Sequence, residues 1–266
     1  MECGGELRSG WNGMAGEHGD VEDAWHLLTD GRGAGCVLFD FDGPLCRLFP
    51  GGSSMDVADD LRRAVADAGA IDVLSAAERA DKDPHVVLRA VHRARWNRDL
   101  GDLVECLDAL VTKGELEAVP DALDTADADR LVRWLDGRGD RLAVVTNNAA
   151  RAADAYLREK RLRRCFEAVH GRSADPDLMK PHPDVLHRAL RDLRLEPDDA
   201  VMIGDTPTDF VAAERAGVRF IGYGRNTEKR LRLRESGAKV VLGSYAPLLE
   251  LARHHGECVP DRSDAT

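Results

Sequence analysis

Between residues 120 and 255 the chain alternates short apolar runs with amphipathic segments, and this alternation limits the possible fold more than any other feature of the sequence. A short apolar run is typical of a buried strand, and a period of about 3.6 residues indicates a helix. Strands that alternate with helices predict a parallel sheet covered on both faces. The predicted strands are LAVVT (142–146), AVHG (168–171), AVMIG (200–204), RFIGY (219–223) and KVVL (239–242), and the predicted helices span 125–137, 149–160, 182–194, 208–216, 227–236 and 245–254.

One more apolar run, CVLFD (36–40), predicts a first strand well before this alternating region. The residues between it and Pro120 show helical periodicity and no strand pattern, which indicates a helical insertion into an α/β domain. The expected division is a flexible, glycine-rich N-terminal arm (1–34), a Rossmann-like α/β core (35–52 and 120–255), a helical cap (53–119) and a C-terminal tail (256–266).

Composition excludes several classes of function. The 266 residues carry a net charge of −11, which would repel a nucleic-acid backbone, and they contain no apolar run long enough to span a membrane. The first ten residues, MECGGELRSG, have no basic flank followed by an apolar stretch, so we expect no secretory signal and a cytoplasmic protein. The six cysteines include no C-x-x-C pair and predict reduced thiols, with neither a zinc site nor a disulfide framework.

Acidic residues follow two of the predicted strands directly. Asp40 and Asp42 end the first strand, and Asp205 and Asp209 follow AVMIG. Because ligands of open parallel sheets bind at the carboxyl ends of the strands, we expect these four side chains to lie close together. Such a cluster needs a cation, and an all-oxygen ligand set favours Mg²⁺, which commonly accompanies phosphoryl transfer.

Three other residues are suited to binding a phosphate at the same edge of the sheet. Thr146 and Asn147 follow the strand LAVVT and offer a hydroxyl and backbone N–H groups near a helix start, and Lys180 offers a positive charge. The positive charge matters because a carboxylate that attacks a phosphate dianion meets repulsion of about 4 kcal/mol per charge pair at ~4 Å. Of the two first-strand acids, Asp40 could act as a nucleophile and Asp42 as a general acid and base.

Each of these motifs also has a structural interpretation when it is taken alone. Asp-x-Asp at a strand end favours a turn, Thr146 could cap the helix that follows, and the stretch 204–209 could be a loop with a helix cap. Their common order along the chain favours the functional interpretation.

The runs CVLFDFDGPL, AVVTNN, LMKPHPDVL and VMIGDTPTDFVAAERAG together resemble the four ordered motifs of the haloacid dehalogenase-like hydrolases. The long helical stretch between the first two motifs is similar to the helical-cap members, such as phosphoglycolate phosphatase-like enzymes. The resemblance covers roughly residues 36–255.

The resemblance implies a Mg²⁺-dependent phosphatase that hydrolyses a small phosphomonoester through an aspartyl-phosphate. It assigns the nucleophile to Asp40, the acid and base to Asp42, phosphate binding to Thr146 and Lys180, and the metal site to Asp40, Asp205, Asp209 and the main-chain carbonyl of Asp42. Pro44 stands where the family usually has threonine or valine, and it removes a backbone N–H from the turn.

Three alternatives stay open. A phosphomutase of the same superfamily would use the same residues, a dehalogenase would need neither Asp42 nor the metal acids, and a non-catalytic binding module would be expected to lack one of them. The implied partner is a small phosphorylated metabolite, and the oligomeric state is left open. Candidates for substrate specificity are Arg47, Lys82, Arg89 and Arg93, whereas His85 and His92 are predicted to be surface residues of a cap helix.

Overall fold

The computed structural model describes residues 11–29, 35–52 and 54–261. Its strands are β1 (Cys36–Phe39), β2 (Cys46–Arg47), β3 (Leu123–Asp124), β4 (Arg141–Val145), β5 (Ala168–His170), β6 (Ala200–Gly204), β7 (Arg219–Tyr223) and β8 (Val241–Leu242). Its α-helices are α1 (Trp11–Thr29), α2 (Ser54–Asp67), α3 (Ala76–Ala80), α4 (Pro84–Ala94), α5 (Leu103–Ala118), α6 (Ala128–Gly137), α7 (Ala150–Glu159), α8 (Asp184–Leu193), α9 (Pro207–Ala216), α10 (Thr227–Glu235) and α11 (Ala246–His254).

Six strands pair in parallel in the order β5-β4-β1-β6-β7-β8. The central strand β1 lies between β4 and β6, so that Val37 is opposite Leu142 on one side and Val201 on the other. The chain therefore builds outwards from β1 in one direction and then in the other, and a switch of this kind leaves a crevice at the carboxyl ends of the strands. The predicted Rossmann-like α/β fold is confirmed.

Alternation along β1 divides the core into two layers. Val37 and Phe39 belong to the cluster on one face of the sheet, which includes Trp134 and Tyr156, and Leu38 belongs to the cluster on the other. Side chains of successive strand residues point to opposite faces, and helices cover both. A strand that is buried on both sides explains why its sequence is apolar throughout.

Helices α2 to α5 form an inserted unit with its own apolar cluster, in which Leu61, Leu88 and Leu107 are fully buried. We call these residues, 54–118, the helical insert. The insert leaves and rejoins the core through the antiparallel pair of β2 and β3, in which Arg47 is opposite Leu123. Its two ends are therefore neighbours in space.

The chain ends pack more closely than the sequence predicted. Part of the expected flexible arm is the helix α1, whose residues Ala24 and Leu28 are buried in the core and whose Trp25 stacks on Trp134 with ring centroids 5.9 Å apart. The expectation of a loose arm is wrong for this helix, and residues 1–10 and 30–34 lie outside the described residues.

The expected tail is also partly ordered. Val259 joins the core cluster, and the carbonyl of Pro260 accepts a hydrogen bond from Arg130 at 2.9 Å. The expectation of a frayed end is therefore wrong up to residue 261, while 262–266 lie outside the described residues. In the described ranges, no helix combines the length and apolarity needed to cross a membrane.

Candidate active site

A cavity of about 470 Å³ opens at the carboxyl ends of the central strands. It lies where the core and the helical insert meet. Its lining residues are Asp40, Asp42, Phe49, Ser54, Asp81, Lys82, Asp83, Pro84, His85, Thr146, Asn147, Asn148, Lys180, Thr206, Thr208 and Asp209. All of the strand-end positions inferred from sequence except Asp205 therefore line one space large enough for a small ligand.

The centre of the site is an ion pair between Asp40 and Lys180. Asp40 directly follows β1, and its backbone N–H donates to the carbonyl of Ile203 in β6 at 2.9 Å, which fixes its position at the strand end. The Lys180 Nζ lies 2.7 Å from Asp40 Oδ1 and 2.6 Å from Asp209 Oδ1, and it also donates to the Val145 carbonyl at 3.0 Å. Three acceptors thus hold a fully buried ammonium in place.

Asp209 has a second, structural role at the start of α9. Its Oδ2 accepts hydrogen bonds from the backbone N–H groups of Asp205 and Thr206, at 3.1 Å and 3.0 Å, and Thr206 caps the helix. The interpretation of 204–209 as a helix cap is therefore correct. Because the other oxygen of Asp209 faces Lys180, the carboxylate serves the cap and the cavity together.

Asp205 is a buried acid whose two carboxylate oxygens differ in their contacts. It is 3% exposed, Lys229 pairs with its Oδ2, and its Oδ1 has no hydrogen-bond partner among the described residues. Burial, together with the nearby charges of Asp209 and Asp40, raises the pKa of Asp205 to about 8 even though Lys229 opposes the rise. A buried carboxylate of this kind costs free energy unless a cation or proton compensates it.

One oxygen from each of Asp40, Asp205 and Asp209 can be chosen so that all three lie within 4.8 Å of one another. All three residues are buried, and Asp205 Oδ1, which has no hydrogen-bond partner among the described residues, is free to ligate a cation. Hard oxygen donors without nitrogen or sulfur suit Mg²⁺. The residues present therefore fit a divalent metal site.

The Asp42 side chain is separate from this acidic cluster. Its Oδ1 accepts a hydrogen bond from the Leu48 backbone N–H at 3.0 Å, and it lines the cavity close to Asp40. Burial raises the pKa of Asp42, although the bond from Leu48 opposes the rise. A raised pKa favours the protonated form that a general acid requires.

The turn after Asp42 must pass very close to Asp205. A Cβ on Gly43 would lie 2.1 Å from the carboxyl carbon of Asp205, and the Gly43 φ of 129° is one that other residues rarely adopt. Only glycine fits both conditions. The carbonyl of the unusual Pro44 accepts a hydrogen bond from the Tyr245 hydroxyl at 3.1 Å.

Thr146 does not cap the helix that follows it. The N-cap residue of α7 is Ala149, whose side chain cannot accept a hydrogen bond from the first turn of the helix. Instead, the Thr146 hydroxyl donates to Asn148 Oδ1 at 3.0 Å and accepts from the Asn148 backbone N–H at 3.1 Å. The Asn147 side chain makes two hydrogen bonds to the Lys180 backbone. It donates to the Lys180 carbonyl at 3.2 Å and accepts from the Lys180 N–H at 2.8 Å.

The four specificity candidates fall in different places. Only Lys82 lines the cavity, where it is exposed. Arg89 donates to the Lys180 carbonyl at 2.8 Å, and Arg93 pairs with Glu78 at 2.8 Å on the outside of the insert. Arg47 lies in β2 and is not itself one of the lining residues.

Of two histidines predicted at the surface, His85 is partly buried and His92 is fully buried. His85 lines the cavity, with its Nδ1 3.1 Å from Asp83 Oδ1 and its Nε2 3.4 Å from Glu115 Oε1. The His92 side chain is 1% exposed and lies between Asp175 and Asp177 of the core, 3.4 Å from each. The prediction is wrong because the helix carrying them is covered by the core on one side, which its own sequence does not show.

The comparisons with known proteins agree with this geometry. Residues 35–217 match the family described as haloacid dehalogenase-like hydrolase. Phosphoglycolate phosphatase 1 from Pseudomonas aeruginosa is 32% identical over 150 residues, which are 55% of this chain and 52% of that protein. Pyrophosphatase PpaX from Bacillus mycoides is 28% identical over 120 residues, 45% of this chain and 55% of that protein. The chain thus matches about half the length of these relatives.

Two solved structures show the same fold. A predicted phosphatase from Clostridium acetobutylicum superposes with a TM-score of 0.58 at 21% identity, covering 83% of this chain and 99% of that one. CbbY from Rhodobacter sphaeroides, solved with xylulose-1,5-bisphosphate, gives a TM-score of 0.58 at 19% identity, covering 80% and 95%. Identities this low support the shared fold alone.

Proposed function

Because the chain belongs to the haloacid dehalogenase-like hydrolases, we propose that it is a phosphatase that hydrolyses a small phosphomonoester through a phosphoryl group carried on Asp40. The observation that carries this proposal is the contact of Lys180 Nζ with Asp40 at 2.7 Å inside a cavity lined by further acids. A buried lysine beside the attacking carboxylate supplies the positive charge that an incoming phosphate needs.

Asp40 performs the first step. Its carboxylate oxygen attacks phosphorus, the bond from phosphorus to the leaving oxygen breaks, and the carboxyl group of Asp42 gives its proton to that oxygen. Burial raises the pKa of Asp40 to about 6, with Lys180 opposing the rise, so the attacking carboxylate is mostly ionised near neutral pH. Burial raises the pKa of Asp42, a direction that favours the protonated form required of the acid in this step.

The second step reverses the role of Asp42. Its carboxylate takes a proton from water, the water oxygen attacks phosphorus, and the bond between phosphorus and Asp40 breaks to release inorganic phosphate. Lys180 and the Thr146 hydroxyl, whose proton turns from Asn148 Oδ1 to the phosphate, contact the phosphate oxygens in both steps. Asn147 keeps Lys180 in register through its bonds to the lysine backbone.

A cation completes the proposed site. Asp40, Asp205, Asp209 and the Asp42 main-chain carbonyl would hold Mg²⁺, which when bound offsets the charge of the phosphate oxygens. Asp205 has the oxygen without a hydrogen bond, whereas both Asp209 oxygens already have partners. Asp205 is therefore the stronger direct ligand.

The insert closes the cavity and thereby acts as a cap that limits substrate size. A space of about 470 Å³ suits a small metabolite, and the acidic chain disfavours a polymeric nucleic-acid substrate. The two relatives above are named for phosphoglycolate and pyrophosphate, which are both small anions, and they indicate where a substrate search begins.

The test is phosphate release from a panel that contains 2-phosphoglycolate, sugar phosphates and pyrophosphate, measured with Mg²⁺ and with a chelator. We expect Mg²⁺-dependent release that Asp40→Asn lowers by at least about 10³-fold. The matched control is Asp81→Asn, which removes a carboxylate from the insert side of the same cavity and should keep most of the activity. Equal losses in the two variants would contradict the role of Asp40.

A second measurement tests the covalent step. In Asp42→Asn the phosphoryl group should remain on Asp40, because no base activates water, and mass spectrometry of acid-quenched enzyme should detect it on the peptide that contains residue 40. Turnover without any such adduct would contradict the mechanism. A phosphorylated isomer formed without free phosphate would instead identify a phosphomutase.

A further inference from the structure

Glu115 is a buried carboxylate that belongs to the insert but bonds mainly to the core. It lies in the last turn of α5, and its side chain is 1% exposed. Its Oε1 accepts from Asn148 Nδ2 at 3.0 Å and its Oε2 accepts from the Ala149 backbone N–H at 2.8 Å. Arg172 Nη1 bonds both oxygens, at 2.9 Å and 2.8 Å.

These bonds determine which way the Asn148 side chain points. Because Glu115 can only accept, the Asn148 amide must turn its NH₂ group towards Glu115 and its oxygen towards Thr146. That oxygen then accepts from the Thr146 hydroxyl at 3.0 Å. A chain of hydrogen bonds thus runs from the insert to the residue proposed to contact phosphate.

Glu115 also fixes the backbone of this loop. Ala149 occupies the cap position of α7, and the Glu115 carboxylate supplies the acceptor that no side chain within that turn provides. An anion at a helix start is favourable, since it faces unpaired N–H groups and the positive end of the helix dipole. The loop from residue 146 to 149 is therefore held at its start and at its end.

The same carboxylate contacts the opposite wall of the cavity. His85 Nε2 lies 3.4 Å from Glu115 Oε1, and His85 lines the cavity from the insert side. Glu115 thus touches one residue that lines the cavity from the insert side and two residues of the loop 146–149.

Arg172 shows that docking of the insert does not depend on Glu115 alone. Its Nε donates to Asp108 Oδ1 at 2.6 Å, and its Nη2 bonds the Thr112 hydroxyl and the Asp108 carbonyl. Both partners belong to α5. If Glu115 is neutralised, these contacts still hold the helix against the core, and so the effect on the loop can be measured separately.

We propose that Glu115 is a positioning residue. It holds the loop 146–149 in its phosphate-binding form and makes that form depend on the docked insert. The inference rests on the proposed phosphatase function. A glutamine at this position would place an NH₂ group against at least one of the donors of Asn148, Ala149 and Arg172. The loop would then lose a fixed acceptor while the size of the side chain is unchanged.

The experiment compares Glu115→Gln with Asp108→Asn, which weakens the same Arg172 cluster on the same helix without touching the loop. For each we would measure thermal unfolding, kcat, KM and the inhibition constant of inorganic phosphate. We expect Glu115→Gln to weaken phosphate inhibition about tenfold, and Asp108→Asn to change it less than about threefold at a similar loss of Tm. Equal changes in the two variants would overturn the proposal.

A double variant separates positioning from a general loss of structure. Since Glu115 acts partly through Asn148, Glu115→Gln combined with Asn148→Ala should weaken phosphate inhibition by less than the two single effects combined. Additive losses would overturn the proposal. If the unaltered protein releases no phosphate from any ester, the proposed function itself fails, which is distinct from an active protein in which Glu115→Gln behaves like Asp108→Asn.

Discussion

The core and the insert line one cavity but differ in how they supply side chains to it. The core places Asp40 and Lys180 where hydrogen bonds from neighbouring strands and loops fix their backbone, and both are buried. The insert contributes exposed Lys82 and partly buried His85 from around the start of one helix. Under the proposed function, we expect the core to determine the chemistry, which needs fixed charges, and the insert to determine which molecules reach it.

The largest expected difference between the two regions is that between a lysine of the core and a lysine of the insert. Lys180→Met leaves Asp40 and Asp209 buried without their cation, so we expect at least about 10³-fold loss of kcat and ~3–5 kcal/mol loss of stability. Lys82→Met removes an exposed charge and should change KM a few-fold with no loss of stability. Steady-state kinetics and urea unfolding measure both. If Lys82→Met lowered kcat as much as Lys180→Met, the division between chemistry and selection would be wrong.

Two glycines give the next comparison. Gly43→Ala would force a Cβ to 2.1 Å from the Asp205 carboxyl carbon at a φ of 129°, and we expect ~2–4 kcal/mol of destabilisation with loss of activity. Gly114→Ala in α5 would place a Cβ 2.5 Å from a Val57 methyl group, but it also gains helix propensity of about 0.5–1 kcal/mol. Its net cost should stay below ~2 kcal/mol and its activity near normal. Activity lost equally in both variants would show that the insert is as intolerant as the core.

A smaller effect concerns how the two regions respond to pH. Burial opposes protonation of His85, but Asp83 and Glu115 raise its pKa from 6.5 to about 9. The contribution of protonated His85 to the free energy of unfolding is therefore complete below about pH 6.5 and is lost as pH rises towards 9. Burial lowers the pKa of His170, so its contribution is present above pH 6.5 and is lost as pH falls.

The free energy of unfolding of His85→Gln should therefore approach that of the unaltered protein as pH rises, by ~1–3 kcal/mol between pH 6 and pH 10. For His170→Gln the gap should close in the opposite direction, as pH falls below 6.5. Urea unfolding across this range checks both signs. Parallel curves for the two variants would contradict the environments assigned to these histidines.

The smallest effect distinguishes two arginines of the insert. Arg89 donates a hydrogen bond to the Lys180 carbonyl of the core. Arg93 pairs with Glu78, another residue of the insert, and its side chain is 54% exposed. Arg89→Ala should lower kcat/KM a few-fold, and Arg93→Ala should change neither activity nor stability by more than about 1 kcal/mol. A measurable effect of Arg93→Ala on KM would return it to the set of specificity residues.

The sequence was sufficient to predict that the proposed core residues lie near one another, because they follow strands directly. Each apolar run ended within one residue of the strand that the structure shows at CVLFD, LAVVT and AVMIG, and in a parallel sheet adjacent strand ends must meet. Asp40, Thr146 and Asp205 could therefore be placed together without knowing their contacts.

Residues that depend on distant partners could not be found in this way. Glu115 and Arg172 stand far apart in the chain, and each alone is an ordinary charged residue of a helix or a loop. The helix α1 was missed for a similar reason, because glycines interrupt its pattern and its stability comes from packing of Trp25 and Leu28 on the core. A pattern within one segment carries no information about such partners.

The position of β1 at the centre of the sheet has a consequence for synthesis on the ribosome. Cys36 is made before both of its partners, Arg141 on one side and Ala200 on the other, so the strand that precedes Asp40 lacks one neighbouring strand until β6 has emerged. The insert, whose contacts are local, can form first. A nascent chain that ends before residue 200 therefore presents one bare edge of an apolar strand, and it needs protection from aggregation during that interval.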